Sequence, residues 1–292
     1  MTRKNIDLLK LLLDYRIVSV AQITALCFPS RQMARRKIRE FAKAKLINVT
    51  TRGFGPPSGR PERLISLSNS AVKILKDIGA IRSGLLLESF PSIEPRHFEH
   101  QLLLNWVRIY LNHAGECISQ INTNFLSPLF HYKDYSFKTD DYQPESSPIP
   151  DGIFSISYEG QGRSLLFFLE VDMGTEIISS YNPASKDIRK KILCYQHIFK
   201  KQAYKKLEIL FQCQFNGFRT LFVANTENRL QQLCKLTKSM TSTDFIWMTD
   251  RSSIFRNGIS DKIWIKGGDI ENNRYSILGP SLAIKTPLAT LI

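Results

Sequence analysis

Apolar side chains recur at helical spacing near the start of the chain and give way further on to short apolar runs of strand length. Between Asn5 and Asp14, the positions of Ile6, Leu8, Leu9, Leu12 and Leu13 predict an amphipathic helix. Ser19 with Gln22 three residues on forms a capping box, opening a second helix that holds Ile23 and Leu26. Phe28-Pro29-Ser30 interrupts the pattern, and Ser30 can cap a third helix running to about Lys45. A short strand from Leu46 to Thr51, a Gly/Pro-rich loop from Gly53 to Pro61 and a second strand from Arg63 to Leu67 follow. A helix from Asn69 to Ile78 closes this part.

That order, three helices and then a strand, loop and strand, is the order of a winged helix-turn-helix domain over residues 1–80. On the third helix Ala34, Ile38 and Phe41 fall on one face, at about 100° per residue, and Gln32, Arg36, Arg39 and Lys43 on the other. The apolar face anchors the helix. The polar face is a candidate for entering a DNA major groove. Arg52, Arg60 and Arg63 lie in or beside the loop, where they could touch flanking phosphates. Taken alone, such a face is more often simply solvated; the helix order and the basic loop favour DNA.

Residues 81–95, with three serines and two prolines, read as a linker. Beyond it, residues 96–292 alternate strand and helix signals. A helix is predicted from Arg96 to about His113 and a basic helix from Ser185 to about Gln202, with Ile188, Ile192, Tyr195 and Phe199 on one face. Buried strands are predicted at Arg219–Ala224 and Phe245–Thr249, a helix starts near Thr226, and Ile263-Trp264-Ile265 forms a late strand. The alternation argues for an α/β fold, a mixed sheet with both faces covered. Residues 131–150 read as a long polar loop.

Composition narrows the partner. The formal charge is +14 over 292 residues, which favours a polyanion: nucleic acid first, an anionic membrane surface second. No apolar run is long enough to span a bilayer, and the five cysteines are scattered without a C-x-x-C pair. The expected setting is the cytoplasm, with double-stranded DNA as partner and no membrane.

The candidate chemistry lies on one hairpin. Pro150-Asp151-Gly152-Ile153-Phe154 leads through a polar turn to Leu165-Leu166-Phe167-Phe168-Leu169-Glu170-Val171-Asp172. With the turn at Glu159–Gly162, residue 151 pairs with about residue 170. Glu170 and Asp172 share a face, and Val171 points to the opposite layer. Carboxylates among apolar residues need compensation, and a divalent cation, Mg²⁺ or Mn²⁺ held by Asp151, Glu170 and Asp172, would supply it. The competing reading is a turn residue at Asp151 and an ordinary strand end at Glu170 and Asp172.

Pro-Asp followed by a strand ending in Glu-x-Asp resembles the PD-(D/E)xK nuclease fold. The winged-helix pattern followed by Glu170-Val171-Asp172-Met173-Gly174-Thr175-Glu176 is similar to the replication-relaxation family, which includes plasmid relaxases of the C mobilisation class. His100 with Asn105, and Lys191 with Tyr195, resemble that family's flanking helices. The resemblance implies metal-dependent DNA nicking with Asp151, Glu170, Asp172, Lys191, Tyr195 and His100 as site residues. It also implies partners among replication or mobilisation proteins, or a second copy of the chain as a homodimer.

Two positions depart from the family pattern. Asp172 stands where nucleases of this fold carry lysine, so the cation would come from Lys191, with Lys190 as the substitute; Met173 stands where arginine is common. The alternative is therefore a nuclease fold without activity, serving a DNA-binding replication initiator or regulator.

Overall fold

The computed structural model describes residues 2–51, 62–81, 93–126, 148–160, 164–182 and 187–292. Arg52 and Arg60, the loop from Gly53 to Pro61, most of the expected linker and most of the 131–150 loop lie outside the described residues. The chain divides into two units, residues 1–109 with 127–129 and 291–292, and residues 110–126 with 130–290.

The first unit begins with α1 (Arg3–Tyr15), a three-residue strand β1 (Ile17–Ser19), α2 (Val20–Cys27) and α3 (Arg31–Lys43). Thr2, Ser19 and Ser30 cap the three helices, each accepting a hydrogen bond from a backbone amide of its helix's first turn. Both halves of the Ser19/Gln22 capping box form. Strands β2 (Ile47–Thr51) and β3 (Arg63–Leu67) pair antiparallel, and β1 adds to β3 to give the order β1-β3-β2. Helix α4 (Asn69–Asp77) follows, capped by Ser68. The inner face of α1 buries Leu8, Leu9, Leu12 and Leu13.

The division between the units falls at Ile109/Tyr110, within α5 (Phe98–Cys117), rather than in the segment 81–95. Polar side chains explain why the front of α5 belongs with the first unit. The buried Asn105 amide donates to the carbonyls of Tyr15 (3.1 Å) and Ile17 (2.6 Å), and accepts from Gln101 at 3.0 Å. Gln22 donates to the Leu102 carbonyl at 2.6 Å, and Arg108 pairs with Asp14 while lying 4.0 Å over the Tyr15 ring. Apart from Gln101 with Asn105, none of these pairs is close in sequence, so no local pattern announces them.

The second unit holds a seven-stranded mixed sheet in the order β10-β9-β8-β7-β6-β5-β4. Its strands are β4 (Ile121–Phe125), β5 (Gly152–Tyr158), β6 (Ser164–Asp172), β7 (Phe215–Ala224), β8 (Ile246–Asp250), β9 (Trp264–Lys266) and β10 (Arg274–Tyr275). β6, β7 and β8 run parallel and their neighbours antiparallel. The two parallel crossovers carry α6 (Ile188–Lys200) and α8 (Glu227–Lys238). Ile188 and Ile192 of α6 share one core with Leu230 and Leu233 of α8, over Phe222, Ala224, Ile246 and Met248. A second core gathers Leu166, Phe168, Tyr195, Ile198 and Phe218. Ile198 fills the place expected for Phe199, which is 43% exposed. Among the described residues no helix is long and apolar enough to cross a membrane.

The hairpin register follows the sequence arithmetic. Gly152 pairs with Leu169 and Ile153 with Phe168, so Asp151 stands opposite Glu170, and its amide donates to the Leu169 carbonyl at 2.9 Å.

Candidate functional site

Three elements bring side chains together at the end of β6. Asp151 precedes β5, Glu170 sits two residues before the end of β6, and Lys191 and Tyr195 lie one turn apart on α6. The Tyr195 hydroxyl donates to Glu170 Oε1 at 2.5 Å, and the Lys191 ammonium donates to Glu170 Oε2 at 3.1 Å. Glu170 and Tyr195 are both buried, with Tyr195 packed against Phe168 and Phe218. Asp151 Oδ2 accepts from the Val171 amide at 2.7 Å, which fixes the carboxylate beside the strand end. Lys190 turns away to donate to the Asn182 carbonyl, so Lys191 is the lysine that meets Glu170.

The electrostatics follow from burial and charge. Burial pushes the Glu170 carboxyl up to about 7; Lys191 opposes this shift, Asp151 adds to it and the Tyr195 hydrogen bond opposes it. Burial lowers the Lys191 pKa, but the Glu170 and Glu176 carboxylates outweigh it and the net shift is upward. Tyr195 is held well above the ordinary phenol value, by burial first and by Glu170 next. A strongly raised tyrosine is a hydrogen-bond donor to the carboxylate and a poor nucleophile at neutral pH.

Asp172 has a different fate from Glu170. It is buried, and its Oδ2 accepts from Arg229 Nε at 2.7 Å and its Oδ1 from the Gly174 amide at 2.8 Å. Arg229 also donates to the Glu176 carbonyl at 2.5 Å and to Gln232 at 3.1 Å. The reason is topological. Asp172 stands beside Ala224 in the parallel β6–β7 pairing, Asn225 donates to the Asp172 carbonyl, and Thr226 caps α8. Arg229 is thereby delivered from the first turn of α8 to the end of β6. The expected trio is split: Glu170 answers to α6 and Asp172 to α8. Among the described residues, no three His, Cys, Asp or Glu side chains are grouped to hold a metal ion.

The sequence did not single out Arg229, and it showed Glu176 only as the end of the Glu-Val-Asp-x-Gly-Thr-Glu stretch. One signal was present for Arg229. A cation in the first turn of a helix opposes the helix dipole, so an arginine there needs an acidic partner. Glu176 joins the cluster through Lys191, at 3.0 Å. His100 is half-buried on the part of α5 that belongs to the first unit.

On α3, Ala34, Ile38 and Phe41 are buried, and Gln32, Arg36, Arg39 and Lys43 are exposed. Arg63 is exposed at the start of β3. Among the described residues, none of these five polar side chains has a carboxylate partner.

The model of the family described as replication-relaxation matches residues 9–212. No curated protein and no solved structure matches the chain.

Proposed function

The chain belongs to the replication-relaxation family, and from that premise we propose that it is a DNA-binding protein of plasmid or mobile-element replication or mobilisation. Its first unit then acts as a winged helix docking on duplex DNA. The observation that carries this reading is the outer face of α3, where Gln32, Arg36, Arg39 and Lys43 are exposed above an anchored apolar face. Cations without acidic partners on an exposed helix suit phosphates and base edges. Fluorescence anisotropy with labelled duplexes tests it. Wild type is expected to bind with an affinity that falls steeply with salt, and Arg36→Ala to bind more weakly. Equal binding by the two proteins at every salt concentration would remove the assignment.

The second unit reads as a PD-(D/E)xK-like frame whose acidic residues are answered from within the protein. A divalent ion at Glu170 would have to displace the Lys191 ammonium, and Asp172 would have to leave Arg229. This donor set does not fit a three-carboxylate Mg²⁺ or Mn²⁺ site. It favours a nuclease-like unit serving a replication initiator or regulator.

A second reading, DNA nicking, is supported by the meeting of Asp151, Glu170 and Lys191 at one strand end. Incubation of supercoiled plasmid with wild type, Glu170→Ala and either cation separates the two. Relaxation by wild type that disappears in Glu170→Ala would establish nicking. Equal products from both proteins would leave the binding role.

A further inference from the structure

The first unit contains a cleft of about 650 Å³ lined by Val20 and Ala21 at the start of α2, by Arg31, Arg35, Ile38 and Arg39 of α3, and by Glu62 and Arg63 at the start of β3. Among the described residues, four arginines and one acidic residue, Glu62, therefore line this space. Among the described residues none of the four arginines has a carboxylate partner. The start of α2 adds the partial positive charge of a helix N-terminus to the same wall.

This surface meets the outer face of α3 at Arg39 and otherwise uses different residues. At about 100° per residue, Arg31 and Arg35 stand roughly a quarter turn round from Gln32, Arg36 and Lys43, on the flank towards α2, with Arg39 between the two rows. Four like charges lining one cleft with a single carboxylate, Glu62, repel one another, so stability alone does not account for the excess of arginines there. Planar guanidinium groups offer paired N–H donors that match phosphate oxygens, and they do so better than point-charge ammonium groups.

Resting on the reading of this unit as a duplex-binding domain, we propose that the Arg31/Arg35/Arg39/Arg63 cleft clamps the phosphodiester backbone of one DNA strand. The clamp sets affinity for any duplex, and the outer row of Gln32, Arg36 and Lys43 sets sequence preference. The two rows thus divide the tasks of positioning and reading.

Anisotropy titrations over a salt series test the division, using the full chain, a random-sequence duplex and a duplex selected from a random library on wild type. Arg31→Ala and Arg35→Ala are expected to weaken both duplexes by the same factor. Each should flatten the dependence of log affinity on log salt by about 0.9 for each phosphate no longer neutralised. The ratio of selected to random affinity should stay as in wild type, whereas Arg36→Ala should reduce it. Arg35→Lys should keep the salt slope and bind both duplexes somewhat more weakly. Melting without DNA guards against misfolding: Arg35→Met is expected to melt no lower than wild type, because it relieves repulsion. An unchanged salt slope in Arg31→Ala and Arg35→Ala, or a preference ratio that falls as in Arg36→Ala, would overturn the clamp alone. Failure of wild type to bind either duplex at low salt would overturn the duplex-binding reading and the clamp with it.

Discussion

The Lys191 ammonium lies 3.1 Å from Glu170 Oε2 and 3.0 Å from Glu176 Oε2, so one cation joins a buried carboxylate to an exposed one. Glu170 is 3% exposed and Glu176 47%. The pair is thus a bridge from the end of β6 to the segment that follows it. Lys191, with the Tyr195 hydroxyl on the other oxygen, is what makes a carboxylate tolerable at this depth.

Glu170 should make stability depend on pH. Its carboxyl titrates near the ordinary value in the unfolded chain and near 7 when folded, so the folded state holds the proton more tightly. The contribution is fully present below the unfolded value and is lost as pH rises through about 7. Unfolding free energy from urea titrations should therefore fall between about pH 5 and pH 8, by an amount on the order of 1–3 kcal/mol. Glu170→Gln, which cannot ionise, should abolish most of that slope. The same slope in both proteins would show that Glu170 is not the titrating group.

Arg229 and Asp172 should behave as a coupled pair. Arg229→Met leaves a buried carboxylate without its cation and should cost about 3–5 kcal/mol. Asp172→Asn leaves one acceptor oxygen for two donors, Arg229 and the Gly174 amide, and removes the counter-charge of Arg229, so it should cost about 2–4 kcal/mol. The double variant is expected to be more stable than Arg229→Met alone, as read from a urea double-mutant cycle. Simple additivity would mean that the two groups do not rely on each other.

These two ion pairs mark the limit of what the sequence disclosed. The register that sets Asp151 opposite Glu170 was legible, because side chains alternate with period two and a short turn fixes which residues pair. Lys191 was singled out only by the resemblance of Lys191 and Tyr195 to a family helix, as a stand-in for the lysine missing at 172; its pairing with Glu170 is visible only in the fold. Arg229 was not legible, because it lies 57 residues from Asp172 and reaches it only through the parallel pairing of β6 with β7. The core face of α3 was readable from Ala34, Ile38 and Phe41. The arginine cleft was not, since Val20, Ala21 and Arg63 come to it from other elements. β1, at three residues, is too short to show a period.

Asn105 should matter to the first unit's stability rather than to chemistry. It is fully buried, and its amide supplies the hydrogen bonds of the Tyr15 and Ile17 carbonyls on either side of Arg16. Asn105→Leu has a similar size and removes those donors, leaving buried acceptors unmatched. A drop of about 2–4 kcal/mol in unfolding free energy is expected. Asn105→Asp should be at least as damaging, because it keeps an acceptor where donors are needed. Wild-type stability in either variant would contradict this role.

Gly152 determines where Asp151 sits. A β-carbon at residue 152 would come within 2.5 Å of Phe125 Cζ, where the Phe125 ring crosses the backbone of β5. Phe125 stacks on Phe154, which stacks on Phe167 at a centroid distance of 4.7 Å, so the ring cannot move without disturbing two neighbours. The Asp-Gly pair at 151–152 is therefore no turn. The glycine lets an aromatic ring close over the first residue of a strand. Gly152→Ala should force that stack apart and destabilise the protein by about 1–3 kcal/mol, as overpacking does elsewhere. Phe125→Leu combined with Gly152→Ala should recover part of that stability, because a smaller side chain leaves room for the methyl group. Thermal unfolding of the single and double variants measures both effects. If Phe125→Leu gives no recovery, the approach of the Phe125 ring is not what requires glycine at 152.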